Sequence, residues 1–168
     1  MFDHRPAAAE MARLVNGVRD DQLGGPTPCP EYTLGDLLEH VHGLSLAFAM
    51  AARKEQLPPS DGPPRGTASR LPADWRSSIT QRLDALVALD ELVVHGWDVA
   101  RASGQEYRAD TASLAGTEQF VSAFSGPEMA QARHGLFGPV VPVPDEAPAL
   151  DRVIGLTGRD PAWAPATR

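Results

Sequence analysis

A single cysteine, Cys29, stands among 168 residues. One thiol excludes an intramolecular disulfide framework and any metal site built from cysteine alone, and it fits a reducing compartment. Lysine is just as scarce: of 15 basic residues only Lys54 is lysine, and the rest are arginine. Set against 22 acidic residues, these leave a formal net charge of −7. No window gathers basic residues, so the electrostatic footprint that DNA, RNA or an anionic membrane requires is missing. Long apolar runs are missing too. No stretch approaches the roughly 18 apolar residues of a membrane span, and Met1-Phe2-Asp3-His4 supplies neither the basic nor the apolar segment of a leader. The expected location is cytoplasmic. The expected partners are small molecules, with the chain a monomer or homodimer and with no nucleic acid or membrane among them.

What is present suits a globular core, since 42% of residues are hydrophobic and 22% charged. Residues 7–18 place Ala8, Met11, Leu14, Val15 and Val18 on one helical face. The connector 20–30 follows, where Gly24-Gly25 and the alternate prolines Pro26, Pro28 and Pro30 deny helix and central strand alike. Thr33 with Asp36 three residues on resembles a capping box, with Tyr32 as a staple. A second helix is therefore expected from Leu34 to about Glu55, and residues 56–72 read as a mobile loop. Helical pattern resumes near Ala73 and meets no Gly or Pro until Gly96, so taken literally it runs over 73–103 with Gly104 as its cap. Such a rod would be about 46 Å long, against a radius of gyration of roughly 15 Å for a compact chain of this length. It would overshoot the domain, so a break or sharp turn is expected near Val87 and Ala88.

A further helix is expected over 110–124 behind an Asp110 cap. The proline-rich segment 135–144 reads as an extended wrapping piece, and a last short helix carries Ala149, Leu150, Val153, Ile154 and Leu156. The expected fold is all-α: a four-helix bundle over about 5–125 with a C-terminal extended segment and short extra helix over about 126–168, forming one domain over 1–168.

Glu91 and His95 stand four apart on a helix, so their side chains point the same way one turn apart. In Glu91-Leu92-Val93-Val94-His95-Gly96-Trp97-Asp98 they are set among apolar residues, where an unpaired charge is costly. An ion pair on a solvated face is the ordinary reading of such a pair; the neighbours here favour ligation. A third candidate lies in Leu37-Leu38-Glu39-His40-Val41-His42-Gly43, on a second helix of the kind that faces the first in a bundle. His40 and His42 cannot both face inward, because a two-residue step turns the side chain by about 200°. Both lie at the edges of the apolar stripe, so helical phase alone leaves the choice open. Two nitrogens and one carboxylate oxygen would leave an open position on Zn²⁺, as in catalytic rather than structural sites, and Ni²⁺, Fe²⁺ or Mn²⁺ could take the same ligands.

Thr27-Pro28-Cys29-Pro30-Glu31-Tyr32-Thr33, Leu37-Leu38-Glu39-His40-Val41, the run from Glu91 to Gly104, and the tail from Phe137-Gly138-Pro139 through Gly158-Arg159-Asp160-Pro161 together resemble one group. It is the actinobacterial metal-binding proteins related to mycothiol-dependent maleylpyruvate isomerase, within the DinB-like superfamily. The resemblance implies a four-helix bundle and a divalent metal, commonly zinc, held by His40, Glu91 and His95, with His42 the outer residue. It also implies a metal-dependent transferase or isomerase that works with a low-molecular-weight thiol, mycothiol in an actinobacterium. The alternative is a non-catalytic metal-holding or stress-response module. The isomerase resembles a two-part protein, and nothing after Asp110 is long enough to be its second domain, so isomerase activity itself is not carried over. Relatives have a Gly- and Pro-containing segment before the Glu-x-x-x-His helix, which this chain lacks between Val87 and Ala88.

Other residues receive plainer readings. Cys29 is expected to be a small buried loop residue rather than a nucleophile or fourth ligand. Asp98 could orient a ligand or pair with Arg101 or Arg152. Arg159 could bind a carboxylate near the site or cap a helix end, Trp97 and Trp163 read as packing residues, and His4 and His134 are assigned nothing.

Overall fold

The structure is a computed structural model that describes residues 3–52, 71–81, 83, 89–133 and 136–166, with side chains of the second helix described to residue 46. Helix α1 (Arg5–Gly17) opens with Pro6 in its first turn, where a missing N–H costs nothing. Its apolar face buries Ala7, Ala8, Met11, Leu14 and Val15. The connector after it is ordered, and its carbonyls cap the next helix: Leu34 N–H donates to Gly25 O (2.9 Å) and Gly35 N–H to Leu23 O (2.8 Å). Helix α2 (Leu34–Ala52) starts on the expected box. Thr33 N–H and hydroxyl both donate to Asp36 Oδ2 (3.0 and 2.6 Å), and Asp36 N–H returns a bond to Thr33 Oγ1 (3.2 Å).

The literal rod over 73–103 does not form. Helix α3 (Trp75–Thr80) ends at Gln81, and helix α4 (Leu89–Ser103) begins afresh. The turn expected at Val87 and Ala88, like the loop 56–72 apart from its last two residues, lies outside the described residues. Helix α4 is buried almost all round, with Leu92, Val93, Val94, Trp97, Val99 and Ala100 all covered. Such a helix belongs at the centre of a core. It packs against α1, α2 and α5 (Thr111–Ser122), while α3 leans on α1 and α2. Met11 and Leu14 of α1, Leu37, Leu38 and Val41 of α2, Ile79 of α3 and Leu92 of α4 form one continuous core, each larger side chain contributing about 1.5–3 kcal/mol of transfer free energy.

Two contacts set the rotation of α4. Gly104 (φ +71°) closes it, with Gln105 N–H donating to Ala100 O at 2.9 Å. Tyr107 then folds back against Gly96, where a Cβ would lie 3.1 Å from its ring, and its hydroxyl donates to Val93 O at 2.9 Å.

Helix α5 has the expected Asp110 cap, whose carboxylate accepts from Ser113 N–H. After the short α6 (Ala130–Arg133), the extended segment runs beside α7 (Ala149–Leu156), and Val141 N–H donates to Gly155 O at 2.9 Å. Buried Arg133 gathers three carbonyls here, those of Phe124, Gly138 and Leu156. Among the described residues there are helices and turns but no strand beyond one isolated bridge, Pro26 to Thr33, so the architecture is the all-α DinB-like bundle. No described helix is long and apolar enough to cross a membrane.

Gly158 is the tightest point of the tail. Its φ is +83°, and a Cβ there would lie 2.6 Å from Gly138 backbone atoms. Gly158→Ala is therefore expected to cost about 1–3 kcal/mol, because both the left-handed backbone and the close approach must yield. A lower urea midpoint at unchanged slope would show it.

Candidate metal centre

The steps 91, 95 and 98 put three polar side chains of α4 on one face, and α2 brings His40 to the same place. Glu91 Oε2 lies 3.1 Å from His95 Nε2 and 3.6 Å from His40 Nε2. One donor atom from each of the three residues lies within 4.8 Å of the others. Two imidazole rings stand nearly perpendicular, 83° apart with centroids 5.1 Å apart, and Tyr32 tilts over His40 at 6.0 Å.

Glu91 Oε2 is buried between the two imidazole nitrogens, at ion-pair distance from His95 but without hydrogen-bond geometry to either ring. A buried carboxylate oxygen facing two imidazole nitrogens calls for an explanation. Ligands at about 2.0–2.1 Å around a tetrahedral ion are separated by roughly 3.4 Å. The two Nε2–Oε2 distances bracket that edge length, so the donor set fits a divalent ion.

The orientation of His95 is fixed from behind. Its Nδ1 is 3.0 Å from Asp98 Oδ2, and an ionised carboxylate can only accept, which assigns the proton to Nδ1 and aims Nε2 at Glu91. Asp98 has no exposed side-chain surface. Burial alone would raise its pKa, but the Arg159 guanidinium and His95 together outweigh burial and hold the carboxyl below its usual range. Arg159 grips it with both arms: Nε donates to Oδ1 and Oδ2 at 2.8 and 3.0 Å, and Nη2 to Oδ2 at 2.8 Å.

Charge in the cluster ties Glu91 to His95. Burial pulls the His95 pKa down, yet Asp98 and Glu91 together push it up to about 9. Burial likewise raises the Glu91 pKa, and the two imidazoles more than reverse this, holding the carboxyl far below the usual range. In both residues the preference is for a proton on His95 beside an ionised Glu91.

Several sequence expectations land elsewhere. Asp98 pairs with Arg159 rather than with Arg101 or Arg152; Arg101 Nε donates to Trp163 O at 2.8 Å, and Arg152 pairs with Glu118. His42 is half-buried rather than a surface residue, and its Nε2 lies 2.9 Å from Ser78 Oγ on α3 and does not join the cluster. Cys29 is half-buried, and burial pushes its thiol pKa up, the reverse of what an activated nucleophile needs. Trp97 is buried and Trp163 half-buried. His134 lies outside the described residues. The Arg159–Asp98 pair spans 61 positions, so no local spacing announces it; the nearest signal in the sequence is the Gly158-Arg159-Asp160-Pro161 turn itself.

Fold and site together define a helical-bundle protein with a histidine, histidine, carboxylate cluster between two of its helices. Residues 4–91 match the family described as the mycothiol maleylpyruvate isomerase N-terminal domain, and the chain belongs to that family. The match includes His40 and ends at Glu91, short of His95 and Asp98. Two relatives cover the rest: "Uncharacterized protein MT0763" of Mycobacterium tuberculosis strain CDC 1551 / Oshkosh and "Uncharacterized protein Rv0738" of strain H37Rv. Each is 30% identical over 178 residues, covering 95% of this chain and 97% of the relative. That alignment is longer than the 168-residue chain itself, so the relatives carry residues that this chain lacks. No solved structure matches the chain.

Proposed function

We propose that the protein holds a divalent ion, zinc foremost, on His40, Glu91 and His95, and uses it for chemistry on a low-molecular-weight thiol, with mycothiol the candidate from the family description. The observation that carries the first half is the convergence of the three donors, with buried Glu91 Oε2 set between two imidazole nitrogens at 3.1 and 3.6 Å. When bound, such an ion supplies a Lewis-acid centre that favours the thiolate of a thiol. The chain's own residues set up the rest. Asp98 keeps the His95 proton on Nδ1, the intervening Leu92, Val93 and Val94 of α4 are buried, and Tyr32 lies beside His40. The expected reaction class is transfer of the thiol sulfur to a small electrophile, or isomerisation through a reversible thiol adduct.

Among the described residues no fourth His, Cys, Asp or Glu joins the three. Three protein ligands with an open position are the catalytic pattern, whereas a closed shell of four is structural. This favours the enzyme reading over the metal-holding or stress-response module.

Purified protein is expected to carry about one zinc, nickel, iron or manganese per chain by elemental analysis, and His95→Ala protein to carry none. Thiol chemistry is tested by metal-dependent conjugation of mycothiol to monochlorobimane. Metal-loaded protein that neither binds nor activates mycothiol, cysteine or glutathione would leave the ion-binding half standing and remove the thiol half.

A further inference from the structure

The cluster is braced by a part of the chain far from it in sequence. Asp98 is completely buried, both its oxygens are engaged by Arg159, and Oδ2 is shared with His95 Nδ1. The guanidinium fork fixes the carboxylate in plane and in rotation, which a single contact from the imidazole would not. Arg159 reaches it because residues 157–163 run along α4 as a strap anchored twice. Gly158 presses on Gly138 at one end, and Arg101 donates to Trp163 O at the other. Along α4 the residues Glu91, His95, Asp98 and Arg101 therefore serve the cluster and then the strap on successive turns of one face.

We infer that Arg159 is a positioning residue for the ligand His95, acting through Asp98, so that the C-terminal strap is part of the metal centre. This rests on the metal-binding reading given above. Outer carboxylates on ligating histidines change metal affinity by about 10- to 100-fold, and Arg159 is the group that holds this one in place. Coupling of this kind is reciprocal: if docking of the strap strengthens ion binding, ion binding must strengthen docking by the same factor.

The test is a double-mutant cycle on the full chain, with Zn²⁺ affinity read by competition against a chromophoric chelator. Asp98→Asn is expected to weaken binding by about 10- to 100-fold, and Arg159→Met by about tenfold or more. The double variant should be no weaker than Asp98→Asn alone, because Arg159 has then nothing left to act through. Arg159→Lys, which keeps the charge and loses the fork, should recover only part of the affinity. Wild-type affinity in Arg159→Met, or losses that add in the double variant, would overturn the inference and leave the metal site intact. Wild-type protein that takes up no zinc would overturn both. A second measurement needs no variant: amide exchange of peptides covering 157–163 in the wild-type protein should slow when zinc is added. Unchanged exchange in a protein that does bind zinc refutes the coupling even if Arg159→Met fails to fold.

Discussion

Glu91→Gln protein is expected to lose zinc almost completely while keeping the bundle. The substitution preserves the length and planarity of the side chain and removes only its negative charge. Structural zinc sites are worth about 10–16 kcal/mol over four ligands, so losing the one anionic ligand of three should cost roughly 3 kcal/mol, or more than a hundredfold in affinity. The fold gives no comparable reason to fail. Glu91 is half-buried, with 28% of its side-chain surface exposed, so the amide fits the same space and the zinc-free fold loses only the carboxylate's pairing with His95 and His40. Zinc titration beside circular dichroism separates the two effects. Full zinc affinity in Glu91→Gln would remove the carboxylate from the ligand set.

Zinc affinity is also expected to fall steeply with acid. The ion needs His95 neutral, yet in the free protein Asp98 and Glu91 overcome burial and push its pKa up from 6.5 to about 9. Below that value each ion must displace a proton, so affinity should drop about tenfold per pH unit, some hundredfold between pH 8 and pH 6, and level off above pH 9. Calorimetry in buffers of different ionisation enthalpy should find about one proton released per zinc at pH 7. The same pKa predicts the stability of the free protein. A histidine raised on folding contributes stability that is complete below 6.5 and is lost as pH rises through about 9. Glu91 acts with the opposite sign: its carboxyl is lowered, so its contribution is present above the ordinary carboxylate range and is lost in acid. The melting temperature of the free protein should therefore decline between pH 7 and pH 10, and that of the zinc-loaded protein should not. A flat profile in both would mean that His95 carries no proton in the free state.

Local rules made much of the fold readable. The apolar stripe of α1, the Thr33–Asp36 box, the Asp110 cap and the face of α7 are all short-range signals, and the helices begin within a residue or two of where these place them. The end of α3 was not readable, because 73–95 contains neither Gly nor Pro. Only the length of the resulting rod argues for a turn. Within the cluster, spacing pairs Glu91 with His95, but it leaves His40 and His42 equivalent. Residues far along the chain separate them: Ser78 of α3 takes His42, and Glu91 of α4 faces His40. Arg159 was unreadable for the same reason. A bond between residues 98 and 159 depends on how the strap lies across α4, and no periodicity within either segment encodes that.

The cluster joins only two helices, and His40 and Glu91 are separated by about fifty residues of chain. An ion held there closes a loop, and the entropy of closing a loop grows only with the logarithm of its length. Inserting ten residues between α2 and α4 would change that cost by about 0.2 kcal/mol. Adding one residue inside α4 between Glu91 and His95 would instead turn one of them about 100° away. Relatives can therefore differ freely in the length of this connection and still share the site, while the spacing within α4 has no such latitude.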